Sequence, residues 1–278
     1  MSEQIIVDSC CDLTDAIKQQ LNLRTVPLNL NLGDDHYVDD ESLDIPAFLA
    51  AMQQCTGKVG SSAPSPTLYQ QEYEAAAGKQ SYVVTLSSRL SSSYDSAVLG
   101  AQMLEEHADR VHVFDSKSAA AGELLVAYQI HDLVKAGHGP QEVIAKVEQF
   151  IHEMKTYFVL DSIDNLLKNG RLSKLKGALI NILNIKPLLG SDGDGNIISY
   201  ANCRGQSNIV KKMVATITDS GKATDGLRAV IAHCHNEGLA QRLKDEILAQ
   251  FNFKEIVIVP TRGVSSLYAN EKGVILAY

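Results

Sequence analysis

The stretch YVVTLSSRLSSSYDSA, residues 82–97, decides how this chain is read. Tyr82, Val83, Val84, Thr85 and Leu86 form a short apolar run of β-branched and aromatic residues, the pattern of a buried strand. Ser87, Ser88, Ser91, Ser92 and Ser93 fill the turn, and Tyr94, Ala97, Val98, Ala101 and Leu104 then carry helical spacing as far as residue 106. Strand, hydroxyl-rich turn and helix N-terminus in succession put hydroxyls and unpaired N–H groups at the positive end of a helix dipole. An anion suits such a place. Ser91 or Ser92 also has an ordinary duty open to it, as the N-cap of the helix.

Upstream, residues 4–8 read as a strand ending in Asp8-Ser9, and Asp12 or Thr14 can cap a helix over 15–21. Residues 25–32 alternate through Val26, Leu28, Leu30 and Leu32, which predicts one half-buried strand. A helix over 45–54 follows. Ser65 as N-cap with Pro66 at the first helical position starts the next helix. Ser61 and Ser62 lie in the turn just before it with no capping duty left. Downstream come a strand at 111–114 ending in Asp115-Ser116 and helices over 119–135 and 142–153. Strands alternating with helices at this spacing imply βαβ units on a parallel sheet, with the carboxyl ends of the strands facing one ligand crevice.

The second half reads as strands at 156–160, 185–189, 197–203, 228–233, 255–259 and 273–278, with helices over 161–168, 175–183, 206–219 and 237–251. Ser191-Asp192-Gly193-Asp194-Gly195-Asn196 joins two of these strands as a hairpin. The expected fold class is therefore α/β with two domains. An N-terminal parallel-sheet βαβ domain spans 1–154, and a C-terminal mixed-sheet α/β domain with a hairpin spans 155–278.

With 45% hydrophobic and 21% charged residues, the 278-residue chain has a globular composition. Its net charge of −8 argues against a sequence-independent nucleic-acid binder and against a protein held on anionic lipid. Cys10, Cys11, Cys55, Cys203 and Cys234 make an odd set without CxxC spacing, which fits a reducing, cytoplasmic setting. The N-terminal residues lack the signature of a signal peptide. The most apolar stretch, 172–189, is broken by Lys174, Lys176, Lys186 and Pro187, so no membrane insertion is expected.

Several motifs fail. Asp192, Asp194 and Asn196 imitate half of a calcium loop, but Ile197 and Cys203 occupy the places of its glycine and closing glutamate. His233 and His235 lack further ligands at familiar spacing, and a turn role is the stronger reading. GxSxG, Walker A and GxGxxG sequences are absent from the chain. No cofactor, metal or catalytic residue is expected.

The residues do resemble a known family. Asp8-Ser9-Cys10-Cys11-Asp12-Leu13 resembles the DS-T-A-D-L opening of the DegV family, and Gly60-Ser61-Ser62-Ala63-Pro64-Ser65-Pro66 resembles its T-S-Q-P-S-P turn. Ser87 to Ala97 resembles S-S-x-L-S-G-T-Y-x-S-A. Gly170-Arg171-Leu172-Ser173 and Ile185-Lys186-Pro187 resemble G-R-I-S and I-K-P. The resemblance runs in order from residue 5 to the end. It implies a two-domain protein holding one long-chain fatty acid between its domains, with the carboxylate bound by the hydroxyls of the T-S and L-S-G motifs. It also implies, for some members, service as the acyl-binding subunit of a bacterial fatty acid kinase, whose separate ATP-binding subunit phosphorylates the carboxylate. Residue by residue, Ser61 and Ser62 match the T-S pair, Ser91 the serine of L-S-G, and Arg204 an arginine near the head group. Ser92 replaces the glycine of L-S-G. The C-terminal H-x-G-P-G is absent, and Tyr268 falls near the place of its histidine, offering a hydrogen bond without a switchable charge.

A fatty acid needs an apolar slot and a locally positive head site in this acidic protein. The helix at 175–183 and the strands around Ile185 are candidates for the slot, and Arg89, Arg171 and Arg204 for the charge; an interdomain salt bridge is an equal alternative for Arg171. Two rival readings stand beside this one. One is a lipid or ester hydrolase with Ser62 or Ser91 as nucleophile, although no histidine lies in either serine cluster. The other is a binder of a different acidic lipid or small anion.

Overall fold

The computed structural model of the chain describes residues 3–76, 78–172 and 185–278. The helix expected at 175–183 lies outside them. The first half contains β1 (Glu3–Asp8), α1 (Asp15–Leu21), β2 (Leu23–Val26), β3 (Asn29–Leu32), β4 (Asp35–Val38), α2 (Ile45–Gln54), β5 (Val59–Ser62) and α3 (Pro66–Ala75). It continues with β6 (Gln80–Thr85), α4 (Ser93–Gln102), β7 (Val111–Asp115), α5 (Ala121–Lys135) and α6 (Pro140–Glu153). The second half contains β8 (Thr156–Val159), α7 (Asp164–Lys168), β9 (Lys186–Ser191), β10 (Ile197–Cys203) and α8 (Gln206–Ser220). β11 (Arg228–His233), α9 (Glu237–Leu248), β12 (Glu255–Pro260), α10 (Gly263–Ala269) and β13 (Val274–Ala277) complete it.

Among the described residues, the first half holds a four-stranded parallel sheet in the order β2-β1-β6-β7. The second half holds a six-stranded mixed sheet, β10-β9-β8-β13-β11-β12, in which only β11 and β12 run parallel. The α/β class and the parallel-then-mixed arrangement are as the sequence pattern predicts. α5 packs against β1 and β6 of one sheet and against β11 and β13 of the other. Eight consecutive residues of this helix, from Ala121 to Tyr128, are buried, as a helix with a sheet on each side requires. Val7, Leu124, Val230 and Ala277 accordingly belong to one continuous apolar cluster.

Three expectations need correction. The strand predicted over 25–32 is two strands in two sheets. Pro27 has no N–H for a ladder bond, so the chain leaves the parallel sheet after Val26 and re-enters a separate antiparallel sheet, β4-β3-β5, at Asn29. Val26, Leu28, Leu30 and Leu32 stay buried across the break, so alternation alone does not reveal it. Second, Ser61 and Ser62 lie on β5, not in a turn; pairing with β3 makes this strand, because its own residues, VGSS, have little strand character. Third, α10 was not expected. Its first N–H groups are bound by Asp39, more than 200 positions away in the chain, a partner that no local pattern announces.

Candidate functional site

The carboxyl ends of β1 and β6 form the base of the site. Asp8, fully buried, closes β1. Its Oδ1 accepts the Cys10 N–H at 3.0 Å, and its Oδ2 accepts the Leu86 N–H at 3.0 Å and the Ser93 hydroxyl at 2.7 Å. One carboxylate thus clamps both ends of the serine turn that follows β6. Within the turn, the Ser87 carbonyl accepts the N–H groups of Leu90 and Ser91, and the Ser87 hydroxyl donates to Gly195 O at 2.9 Å, docking the β9–β10 hairpin. Ser91 Oγ accepts the Ser93 N–H at 3.2 Å and faces the cavity described below. Ser92 takes the N-cap position of α4 without a side-chain cap bond and is exposed.

α10 supplies the opposite wall. Asp39 Oδ1 accepts the Gly263 N–H at 2.9 Å and Oδ2 the Val264 N–H at 2.8 Å, while Asp12 Oδ1 accepts the Arg262 N–H at 2.7 Å. These carboxylates satisfy orphan donors at the helix start and complement its dipole. Asp39 approaches so closely that a Cβ on residue 263 would sit 2.4 Å from its Oδ1, which calls for glycine there. At the other end, Asn165 Nδ2 donates to Leu267 O at 2.7 Å. So held, α10 points Tyr268 at β5, where its hydroxyl lies 3.0 Å from Ser61 Oγ. The Arg171 guanidinium sits 5.7 Å above the Tyr268 ring centroid, within cation–π range. Its Nε donates to Leu90 O at 3.2 Å and its Nη1 to Asn169 O. No acid pairs with Arg171 among the described residues.

Between these walls lies a cavity with about 850 Å³ of atom-free space, its open mouth included. Leu28, Leu86, Leu90, Phe158, Leu160, Leu166, Ile197, Val264 and Ile275 give it an apolar lining. Ser61, Ser91, Arg171 and Tyr268 gather hydroxyls and a cation on this lining. Ser62, exposed on β5 beside Ser61, points to the other face, because successive strand residues alternate. Arg204 is exposed just before α8, where its N–H binds Asn208 Oδ1 at 3.0 Å, and it does not line the cavity. Arg89 is also exposed and outside it. The structure thus brings Ser61, Ser91 and Tyr268 together around Arg171, and leaves Ser62, Ser92 and Arg204 off the lining. Sequence reading missed Ser265, one helical turn before Tyr268, whose Oγ donates to Cys10 O at 3.3 Å; only recognition of α10 would have found it.

Burial raises the pKa of every carboxyl group behind this wall. Asp39 is pushed up to about 6, against the lowering effect of the bonds from Val264, Ser9 and Gly263. Asp8 is raised by burial while its donors pull it back. Glu123 on α5, fully buried with neither oxygen hydrogen-bonded among the described residues, is raised well above the usual range, first by burial and then by the Asp8 charge. Asp12 is also raised well above the usual range by burial, against the lowering effect of the bond from the Arg262 N–H.

No histidine lines the cavity among the described residues; Ser61 contacts Tyr268, and Ser91 accepts a backbone N–H. His233 accepts the Asn236 N–H through Nδ1, a turn role. Among the described residues, no three His, Cys, Asp or Glu side chains are grouped to hold a metal ion, and no helix is long and apolar enough to cross a membrane. The Asp192 loop closes its hairpin by accepting the N–H groups of Asp194 and Asn196.

Comparison with known proteins places the chain among relatives of full length. The family model described as an uncharacterised protein of the DegV family matches residues 2–277. A DegV domain-containing protein of Streptococcus pneumoniae (strain ATCC BAA-255 / R6) is 35% identical over 282 residues, covering 100% of this chain and 99% of the relative. Among solved structures, a DegV family protein from Ruminococcus gnavus, refined with vaccenic acid, is 37% identical with a TM-score of 0.95, covering 100% of both chains. The Fatty Acid Kinase (Fak) B3 protein of Streptococcus pneumoniae, loaded with linoleic acid, is 35% identical with a TM-score of 0.90 over 100% of this chain and 99% of that one.

Proposed function

The chain belongs to the DegV family, and from that premise we propose that it binds one long-chain fatty acid between two halves, 1–154 and 155–278, without catalysing a reaction itself. The observation that carries this reading is the apolar cavity bearing Ser61, Ser91, Tyr268 and Arg171. Burying about 14 methylenes at roughly 0.8 kcal/mol each gives about 11 kcal/mol gross, before the cost of ordering the chain. Hydrogen bonds to a charged carboxylate, about 1.5–3 kcal/mol each, chiefly offset its desolvation. The tail therefore sets affinity, and the hydroxyls with Arg171 set recognition of the head. In this arrangement Ser61, Ser91 and Tyr268 donate to the carboxylate, while Arg171 beside them supplies local positive charge in a chain of net charge −8. Ser62 and Ser92, exposed, adjoin Ser61 and Ser91 in sequence, and Arg204 lies off the cavity lining.

We further propose that the bound carboxylate is presented to a separate ATP-binding fatty acid kinase subunit in the cytoplasm, a reading supported by the likeness to the Fak B3 protein. Among the described residues no base lies beside Ser61 or Ser91, which counts against the hydrolase reading. Native mass spectrometry of the purified protein tests the proposal. The expected species is protein plus one long-chain acid that exchanges with added fatty acid. Protein that stays empty and takes up no acyl chain would overturn it.

A further inference from the structure

An unsubstituted acyl chain has nothing to hydrogen-bond beyond its carboxylate, but the cavity holds a second pair of hydroxyls besides those of the head site. Thr156, Phe158 and Leu160 alternate along β8 and the residue after it, and all three line the cavity. Leu160 stands at the α10 end, where Asn270 Nδ2 donates to Ser162 O at 3.2 Å. Thr156 stands about 13 Å away, four residues at about 3.3 Å each. Its Oγ1 lies 2.7 Å from Ser118 Oγ, which precedes α5 and lines the cavity too. Both residues are shut off from bulk water, Thr156 at 7% and Ser118 at 4% exposure. Gly122 makes room for the pair: a Cβ there would meet Ser118 Oγ at 2.0 Å.

Two hydroxyls carry two hydrogens, and the bond between them uses one. The other O–H has no acceptor among the described residues, and lone pairs on both oxygens remain open. A buried donor of this kind is unfavourable until something meets it. Resting on the fatty-acid reading above, we propose that the Ser118–Thr156 pair is a subsite for an oxygen on the tail, so that fatty acids bearing a hydroxyl or keto group at a matching position along the chain are ligands of this protein. A tail oxygen accepts the spare hydrogen; a tail hydroxyl also donates to a free lone pair. No bond is made or broken.

The test is a set of monohydroxy-octadecanoic acids in which the hydroxyl is moved stepwise along the chain, each measured by competition against the unsubstituted acid. The ratio of the two affinities is taken within each protein, so that any change in binding the plain acid cancels. Wild type is compared with Thr156→Val, which keeps the β-branched shape, and with Ser118→Ala; circular dichroism checks the fold of each. At one narrow range of positions, the wild-type ratio should favour the hydroxylated acid by about 3- to 10-fold over its neighbours in the series, as one hydrogen bond gives. Both variants should flatten that peak. A series with no positional peak, or a peak that survives both substitutions, overturns the subsite while leaving the fatty-acid reading intact. Failure of every acid to bind wild type overturns both.

Discussion

The Tyr268 hydroxyl lies 3.0 Å from Ser61 Oγ, joining a helix and a strand that are 207 residues apart in the chain. Both side chains line the same cavity, and Arg171 lies over the tyrosine ring. Each hydroxyl orients the other and leaves a hydrogen or a lone pair for a ligand.

Removing either hydroxyl therefore takes one bond from the head site. Tyr268→Phe and Ser61→Ala should each weaken fatty-acid binding by about 3- to 10-fold. The double variant should fall short of the product of the two, because the hydroxyls share a bond. Displacement of a fluorescent acyl probe measures all three; unchanged affinities would remove the pair from the site.

Charge separates two arginines. Arg171→Gln should cost about 10- to 100-fold in affinity, the range of a hydrogen bond to a charged group. Arg204→Gln, exposed and off the cavity lining, should cost far less. The same probe, titrated at two salt concentrations, decides between them. A larger loss at Arg204 would move the head site.

Asp8 is fully buried and accepts the Ser93 hydroxyl at 2.7 Å, so Ser93→Ala leaves a buried carboxylate short of a donor. The expected loss is about 1–3 kcal/mol of stability. Urea unfolding should show a lower midpoint with an unchanged slope. A variant as stable as wild type would show that the buried bonds of the Ser93 hydroxyl to Asp8 and Tyr69 do not stabilise the fold.

Stability should also fall as pH rises. Asp39 sits at about 6 in the folded protein against an ordinary value of 3.8, so the folded state holds this proton more tightly than the unfolded chain. Its contribution is greatest below the unfolded value and is lost as pH climbs through about 4 to 6. Glu123 acts in the same direction and to higher pH, being raised well above its usual range by burial. Glu123→Gln cannot ionise and should flatten the decline in melting temperature toward alkaline pH. An equal decline in wild type and variant would refute this.

Gly263→Ala would set a Cβ 2.4 Å from Asp39 Oδ1 and dislodge the bonds that start α10. Because α10 carries Tyr268, melting temperature and fatty-acid affinity should drop together. Loss of one without the other would show that the cap does not position the tyrosine.

How much of this was legible beforehand differs between elements. The strand–turn–helix at residues 82–97 was readable because its determinants are local: an apolar run, a cluster of turn formers, and helical spacing. β11 falls at the expected residues for the same reason. Thr14 caps α1 through its side chain, as one of two residues expected to do so. Helix ends were less exact; α4 stops at Gln102 where apolar spacing runs on to residue 106.

By itself, then, the sequence determined the alternation of strands and helices, the hydroxyl-rich turns and the family motifs, because periodicity, turn chemistry and short motifs act over a few residues. Only the tertiary structure decided which hydroxyls share a cavity. Ser61 faces inward and Ser62 outward because pairing with β3 makes their segment a strand. Tyr268 reaches Ser61 because Asp39 starts a helix from a distant part of the chain. Both depend on backbone N–H and carbonyl groups finding partners far along the chain, and such pairing leaves no periodic trace in the residues it joins.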